Sequence, residues 1–236
     1  MKSKLIVLIA ACLLLNIAFA QQADPYEQFN RDTYRMNKTL DKALVKPVAQ
    51  VYDAIAPVPL KMGVSNFFSN LGEVPSVANA TLQFKFKHAI TGTMRFLINS
   101  TVGVLGLVDV ATRLGLPAHY EDFGLTLAHW GWKDSSYLVL PLLGPTTVRD
   151  ALGRPVNYYG TLYPYLYPQR LRFLLPGLSG INIRASLLDG ESAAKQASFD
   201  EYRFIRNAYL QKRNAQINNI IEGEIEDNDI YIEADE

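Results

Sequence analysis

Residues 24–44 read D-P-Y-E-Q-F-N-R-D-T-Y-R-M-N-K-T-L-D-K-A-L. Asp24 is placed to cap a helix, Pro25 suits the first helical position, and Glu27 follows the cap by three residues, as in a capping box. Tyr26, Phe29, Thr33, Met36, Leu40 and Leu44 then recur at intervals of three and four, which is one face of a helix. Pro47 ends or kinks it.

Outward from this stretch the same period continues. Residues 48–56 are expected as a helix ended by Pro57-Val58-Pro59. Residues 60–73 read as an amphipathic helix and 75–83 as a short one opened by Pro75. Residues 85–98 read as a longer helix, with Ile90, Met94, Leu97 and Ile98 recurring. Helical patterns return over 181–197 and 199–221, after a stretch dense in tyrosine and proline over 155–168. Only Tyr137 to Leu143 would pass as a strand, and Pro141 argues against a central one. With no fixed-period repeat and no linker, the expectation is all-α: one domain of many short amphipathic helices over residues 21–221.

Residues 1–20 read as a secretory signal peptide. Lys2 and Lys4 precede the apolar run Leu5–Leu15, which is too short for a spanning helix of about 20 residues. Two processing sites overlap. Ala18-Phe19-Ala20 before Gln21 is an A-x-A site; Ile9-Ala10-Ala11 before Cys12 has the form of a lipoprotein box. Cleavage before Cys12 would leave an apolar region at the short limit of about 7 residues. It would also put Leu13-Leu14-Leu15 directly behind the lipid. Cleavage after Ala20 is the preferred reading, and lipidated Cys12 the alternative.

Cys12 is the sole cysteine, which excludes a disulfide framework and a cysteine zinc site. Lysine plus arginine and aspartate plus glutamate total 23 each, but residues 222–236 hold eight acids and no base, leaving residues 21–221 net +6. The tail reads as a solvated, disordered end. The body has no Lys/Arg run, which speaks against a nucleic-acid partner.

No charge occurs from Phe96 to Val108 or from Ser136 to Val148. Both runs are either buried core or surfaces facing lipid. Trp130, Trp132 and the tyrosines at 158, 159, 163, 165 and 167 suit a membrane–water interface. Catalytic signals are weak. His88, His119 and His129 match no helical metal spacing, and G-x-S-x-G is absent. Neither catalytic residues, a metal nor a cofactor is expected. Asn30, Asn37, Asn66, Asn70, Asn79 and Asn99 recur on or beside apolar faces, where each amide must find a partner. They either knit helices together or line a polar lumen.

Taken in order, these residues resemble the MlaA/VacJ family. The matching motifs are Asp24-Pro25 with Phe29-Asn30-Arg31, Asn37 with Leu40-Asp41, Pro47, Tyr52, Asn66-Phe67, Asn70-Leu71, Pro75, Asn79 with Leu82-Gln83, and Arg95-Phe96 with Asn99. They continue through Gly103, Gly106, Asp109, Asp122-Phe123-Gly124, Tyr137, Pro141, Gly144-Pro145, Arg149-Asp150 and Gly153. Two departures are Trp132–Ser136, where the family is glycine-rich, and Ser100. The resemblance implies a helical ring or disc on the periplasmic side of the outer membrane, beside a porin trimer. It implies no enzyme activity. Phospholipid misplaced in the outer leaflet would pass inward through an amphipathic channel to a soluble periplasmic carrier (MlaC-like), and on to an inner-membrane ABC transporter. It places Phe29, Asn30, Met36, Asn37 and Leu40 near the lipid path. It makes residues 102–129 a gating hairpin, with Gly103, Gly106, Leu107 and Gly115 as its mobile points. Two alternatives stay open: a structural porin-associated envelope protein without a lipid path, and a periplasmic lipid hydrolase.

Overall fold

α1 (Glu27–Leu40) forms where the period predicts it, in a computed structural model that describes residues 24–191 and 200–218. The signal peptide, Cys12 and the acidic tail lie outside the described residues. The expected cap is displaced. Asp24 accepts the Tyr26 N–H at 3.2 Å, and its carbonyl accepts that of Glu27 at 3.2 Å, making a turn ahead of the helix. Glu27 accepts from Arg31 one turn on instead of closing a capping box. Beyond Leu40 the chain widens into one π turn, Asp41–Val45, and resumes as α2 (Lys46–Ile55) with Pro47 in its first turn. Pro47 has no N–H for the carbonyl four residues back, and its ring crowds that carbonyl. A wider turn just before it accommodates both.

α3 (Val58–Leu82) corrects the expected division at Pro75 by running straight through it. Asn70, Glu73, Ser76, Asn79 and Ala80 are buried on both sides of the proline. Holding that face against α4 (Phe86–Thr101), where Glu73 pairs with Arg95, and against residues 119–126 and Asn157, where Ser76 and Asn79 bond, offsets the roughly 3 kcal/mol that an interior proline costs. A short α5 (Val110–Arg113) and α6 (Phe123–His129) follow. β1 (Tyr137–Leu140) and β2 (Gly144–Thr147) then pair antiparallel, Tyr137 opposite Thr147 and Leu140 opposite Gly144. Pro141 sits in the turn between them. β2 was not expected, because glycine and proline are depleted in strands.

α7 (Val148–Gly160) and a 3₁₀ turn at Tyr163–Tyr165 lead to α8 (Leu171–Ser186), which starts ten residues before the expected 181. α9 (Glu201–Ile217) is capped by Asp200, which accepts the Arg203 N–H at 3.2 Å. In space α3 is central. It carries α4 along one face and touches α6, α7 and α8; α9 crosses α6 and β2, and α1 lies on β1.

Burial is inverted. Among the described residues the buried hydrophobic side chains are alanines apart from Leu125, Tyr137, Val139 and Tyr202, and buried polar or charged side chains outnumber them. α4 shows the pattern most clearly. Ala89, Gly92, Arg95 and Asn99 face inward, while Phe86, Ile90, Met94 and Leu97 are exposed. An amphipathic helix in water does the reverse. No described helix is long and apolar enough to cross a membrane.

Candidate functional site

Asn30 and Asn37 lie two helical turns apart on α1 and both face the open edge of β1. Asn30, wholly buried, donates to Tyr137 O at 3.2 Å and accepts the Val139 N–H at 2.8 Å. Asn37 donates to Leu140 O at 2.9 Å and accepts the Leu142 N–H at 2.8 Å. Each amide turns one donor and one acceptor to the strand, the set a backbone peptide offers, and Asn30 also donates to Asp24 at 3.0 Å. The two side chains thus stand in for a third strand and satisfy an edge that would otherwise be unpaired. α9 clamps the other side of α1: Arg31 holds Asp200 at 2.7 Å and stacks over Tyr202, Lys38 pairs with Glu201, and Tyr202 bonds Asp24. Phe29 and Met36 point away from this clamp and are exposed, and Leu40 is half-buried.

Residues 102–109 form a tight irregular loop after α4. Gly106 N donates to Asn99 O at 2.7 Å, Leu105 N to Ser100 O at 3.0 Å, and Val108 N to Gly103 O at 2.9 Å. Val104 (φ 53°) and Leu105 (φ 57°) both occupy the left-handed region, which is a strained conformation for a branched side chain. Their side chains project outward, 60% and 69% exposed. Gly106 (φ 89°) lies against Asn70, whose Cβ would be 2.6 Å from any Cβ added there. Gly103 is required for a different reason: a Cβ would meet Val108 O at 2.2 Å and Asn99 O at 2.5 Å. Asn66 donates to Leu107 O at 3.1 Å and Asn70 to Ser100 Oγ at 2.9 Å, while the buried Asn70 Oδ1 accepts no bond among the described residues. Gly115 (φ 79°) has open space around it.

The base of this loop is fastened by Arg95, which is buried. It donates to Glu73 at 2.7 Å, Thr112 Oγ1 at 2.9 Å, Leu116 O at 2.6 Å and Asp109 at 3.2 Å. Asn99 adds a bond to Asp109 at 3.0 Å and accepts the Ala111 N–H at 2.9 Å. Burial alone would raise the Asp109 pKa. Hydrogen bonds from Thr112 and Asn99, with the charge of Arg95, outweigh it and hold the group at about 2. Burial raises Glu73 against the pull of Arg95. Farther along, His119 stacks on His88 with ring centroids 3.8 Å apart. Burial and the His88 charge push His119 down to about 4. No group of three His, Cys, Asp or Glu among the described residues could hold a metal ion.

A second network joins α6, α7 and α9. Arg213 reaches Asp122 at 2.6 and 2.8 Å and Asp150 at 2.9 Å through both Nε and Nη2. Asp122 also caps α6 by accepting the Leu125 N–H at 2.8 Å. Gly124 lets the helices approach, since a Cβ there would lie 2.2 Å from Asp150. Buried Arg149 organises the Trp132–Ser136 turn through Trp132 O at 3.0 Å and Lys133 O at 2.8 Å.

The expected residues thus fall into two groups on different supports. Asn30 and Asn37 meet on β1; Gly106 and Leu107 meet on α3, while Gly103 packs on its own loop and the end of α4. The charges that hold the interior, Glu73, Arg95, Asp109, Asp150 and Arg213, had no assigned role in the sequence. Arg95, Asp109 and Asp150 were visible only as members of the matching motifs, and Arg95 also as a lone charge between Met94 and Phe96; Arg213, beside Lys212, gave no signal.

An all-helical body with ion-pair networks inside and bulky apolar side chains outside defines a class: inside-out helical proteins whose outer faces are built for an apolar surrounding. The family model of the MlaA lipoprotein matches residues 22–216. The chain belongs to that family. It is 34% identical over 198 residues to the intermembrane phospholipid transport system lipoprotein MlaA of Escherichia coli K12, covering 82% of this chain and 78% of that one. An uncharacterized protein of Rickettsia felis is 37% identical over 196 residues, with coverage of 82% and 78%. A solved chain from work on the structural basis for maintenance of bacterial outer membrane lipid asymmetry superposes with a TM-score of 0.74 at 33% identity. That match covers 84% of this chain and 100% of that one.

Proposed function

We propose that this protein maintains outer-membrane lipid asymmetry by passing phospholipid misplaced in the outer leaflet inward, from the periplasmic side of that membrane, to a periplasmic carrier. The observation that carries this reading is the inverted burial: a polar interior suits a headgroup, and apolar exteriors suit acyl chains and the surrounding bilayer. The names of the Escherichia coli relative and of the structural neighbour support it. The partners are phospholipid, a porin trimer beside the helical ring and an MlaC-like carrier. The transfer is non-covalent. The lipid path is assigned to the α1 face with Phe29, Met36 and Leu40, and the gate to the 103–107 tip, with Gly103 and Gly106 as its hinges; Gly115 belongs to the base on which the tip turns.

Deleting the protein from its own bacterium tests this reading. Outer-leaflet phospholipid should rise, and cells should become sensitive to detergent with chelator. Unchanged outer-leaflet phospholipid alongside altered porin assembly would establish the structural alternative instead. Lysophospholipid released by the purified protein would establish the hydrolase.

A further inference from the structure

A cavity of ≈ 460 Å³ opens between α6, α7, β2 and α9, floored by the Asp122–Arg213–Asp150 network. Its carboxylate and amide acceptors are already taken. Both carboxylates bond Arg213, and Asp150 also accepts the Tyr209 hydroxyl at 2.9 Å. Gln216 gives its oxygen to Arg213 at 3.2 Å, and Asn157 gives its own to the Phe123 N–H at 2.8 Å. An amide whose oxygen is committed presents its NH₂. Arg154, 3.1 Å from Pro145 O, and the exposed Lys212 complete the wall. Apart from the Tyr120 and Thr146 hydroxyls, which can donate or accept, the surplus groups lining the cavity are therefore donors, and three cations face two carboxylates.

We propose that this cavity binds the phosphate ester of a glycerophospho headgroup, its oxyanion held by Arg154, Lys212 and the amide donors of Asn157 and Gln216. The volume suits a headgroup: pockets of about 300–1,000 Å³ hold small organic ligands. Naming a lipid as the source rests on the transport reading above; the oxyanion chemistry does not. Arg213 is a positioning residue here, because its donors are spent on the two aspartates.

The test uses the full chain in dodecyl maltoside, titrated with dihexanoyl-phosphatidylglycerol, glycerophosphoglycerol and inorganic phosphate and followed by ³¹P NMR. Both esters should bind, and Lys212→Gln with Arg154→Gln should weaken them at least tenfold. Lys212→Gln alone, at an exposed position, should give a partial loss that Lys212→Arg restores. Binding of inorganic phosphate without either ester would overturn the headgroup assignment. So would ester binding that neither substitution weakens, or no binding at all. A double variant that binds esters normally and clears outer-leaflet phospholipid normally would remove the cavity and leave the transport reading standing. Ester binding lost in the variant, in a bacterium whose asymmetry survives deletion of the protein, would do the opposite.

Discussion

The β1 edge and the 102–109 loop are both stretches of apolar backbone held against asparagines from a neighbouring helix, and they are held differently. Asn30 and Asn37 each bond β1 in both directions, donor and acceptor, and β1 keeps ordinary extended geometry. Asn66 holds the loop by a single donation to Leu107 O, Asn70 donates to Ser100 at the end of α4 and only packs against Gly106, its Oδ1 is left unused, and Val104 and Leu105 are strained. The loop's base, by contrast, is tied by Arg95 and Asn99 as firmly as β1 is. Two-way amide bonding makes a scaffold; one-way bonding over a strained tip makes an element that can leave its place at small cost. In the gate proposed above, the moving part would then be the 103–107 tip, on a base fixed from Asp109 to Leu116.

Breaking the base should cost most. Arg95→Met strands Glu73 and Asp109, and removing one partner of a buried pair costs about 3–5 kcal/mol. A thermal melt in detergent should show the variant unfolded or severely destabilised. Asn30→Ala comes next. It orphans buried groups on β1, at about 1–3 kcal/mol for each, whereas Asn70→Ala should cost only about 1 kcal/mol. Equal losses at the two positions would erase the contrast between scaffold and tip.

Acid should release the base before the scaffold. The Asp109 pKa is depressed to about 2 in the fold, against an ordinary value of about 3.9. Its contribution, about 2 kcal/mol, is therefore complete above pH ~4 and lost as pH falls towards 2. Hydrogen exchange of Ala111 and Thr112 should rise across that window while Val139 stays protected. The smallest contrast lies between glycines. Gly106→Ala meets both a positive φ and Asn70, and should cost about 1–3 kcal/mol. Gly115→Ala meets the φ penalty in open space, about 1 kcal/mol. Melting temperatures of the pair should separate in that order.

Much of the fold was legible. The three–four spacing located α1 and α4, and the expected strand begins at Tyr137 but stops at Leu140 instead of running to Leu143, because Pro141 sits in the turn. Pro75 misled, because its effect was decided by residues 70–80 burying one face against α4, residues 119–126 and Asn157, tertiary contacts that local chemistry does not show. β2 was hidden by Gly144-Pro145. Of the expected site residues, Asn30 and Asn37 were recognisable as amides needing partners, but the partner strand lies more than a hundred residues away. The ion-pair interior was the least legible part, since Arg95, Asp150 and Arg213 acquire their meaning only when four helices meet.

The central claim is that the 103–107 tip moves while its base stays fixed. Gly63 provides the direct test, because a Cβ there would lie 3.7 Å from the Leu107 side chain. A Gly63→Cys, Leu107→Cys pair, oxidised, should fasten the tip to α3. Cells carrying the crosslinked protein should accumulate outer-leaflet phospholipid to the level of the deletion strain and recover on reduction. Quantitative crosslinking with normal clearance of outer-leaflet phospholipid would contradict the account.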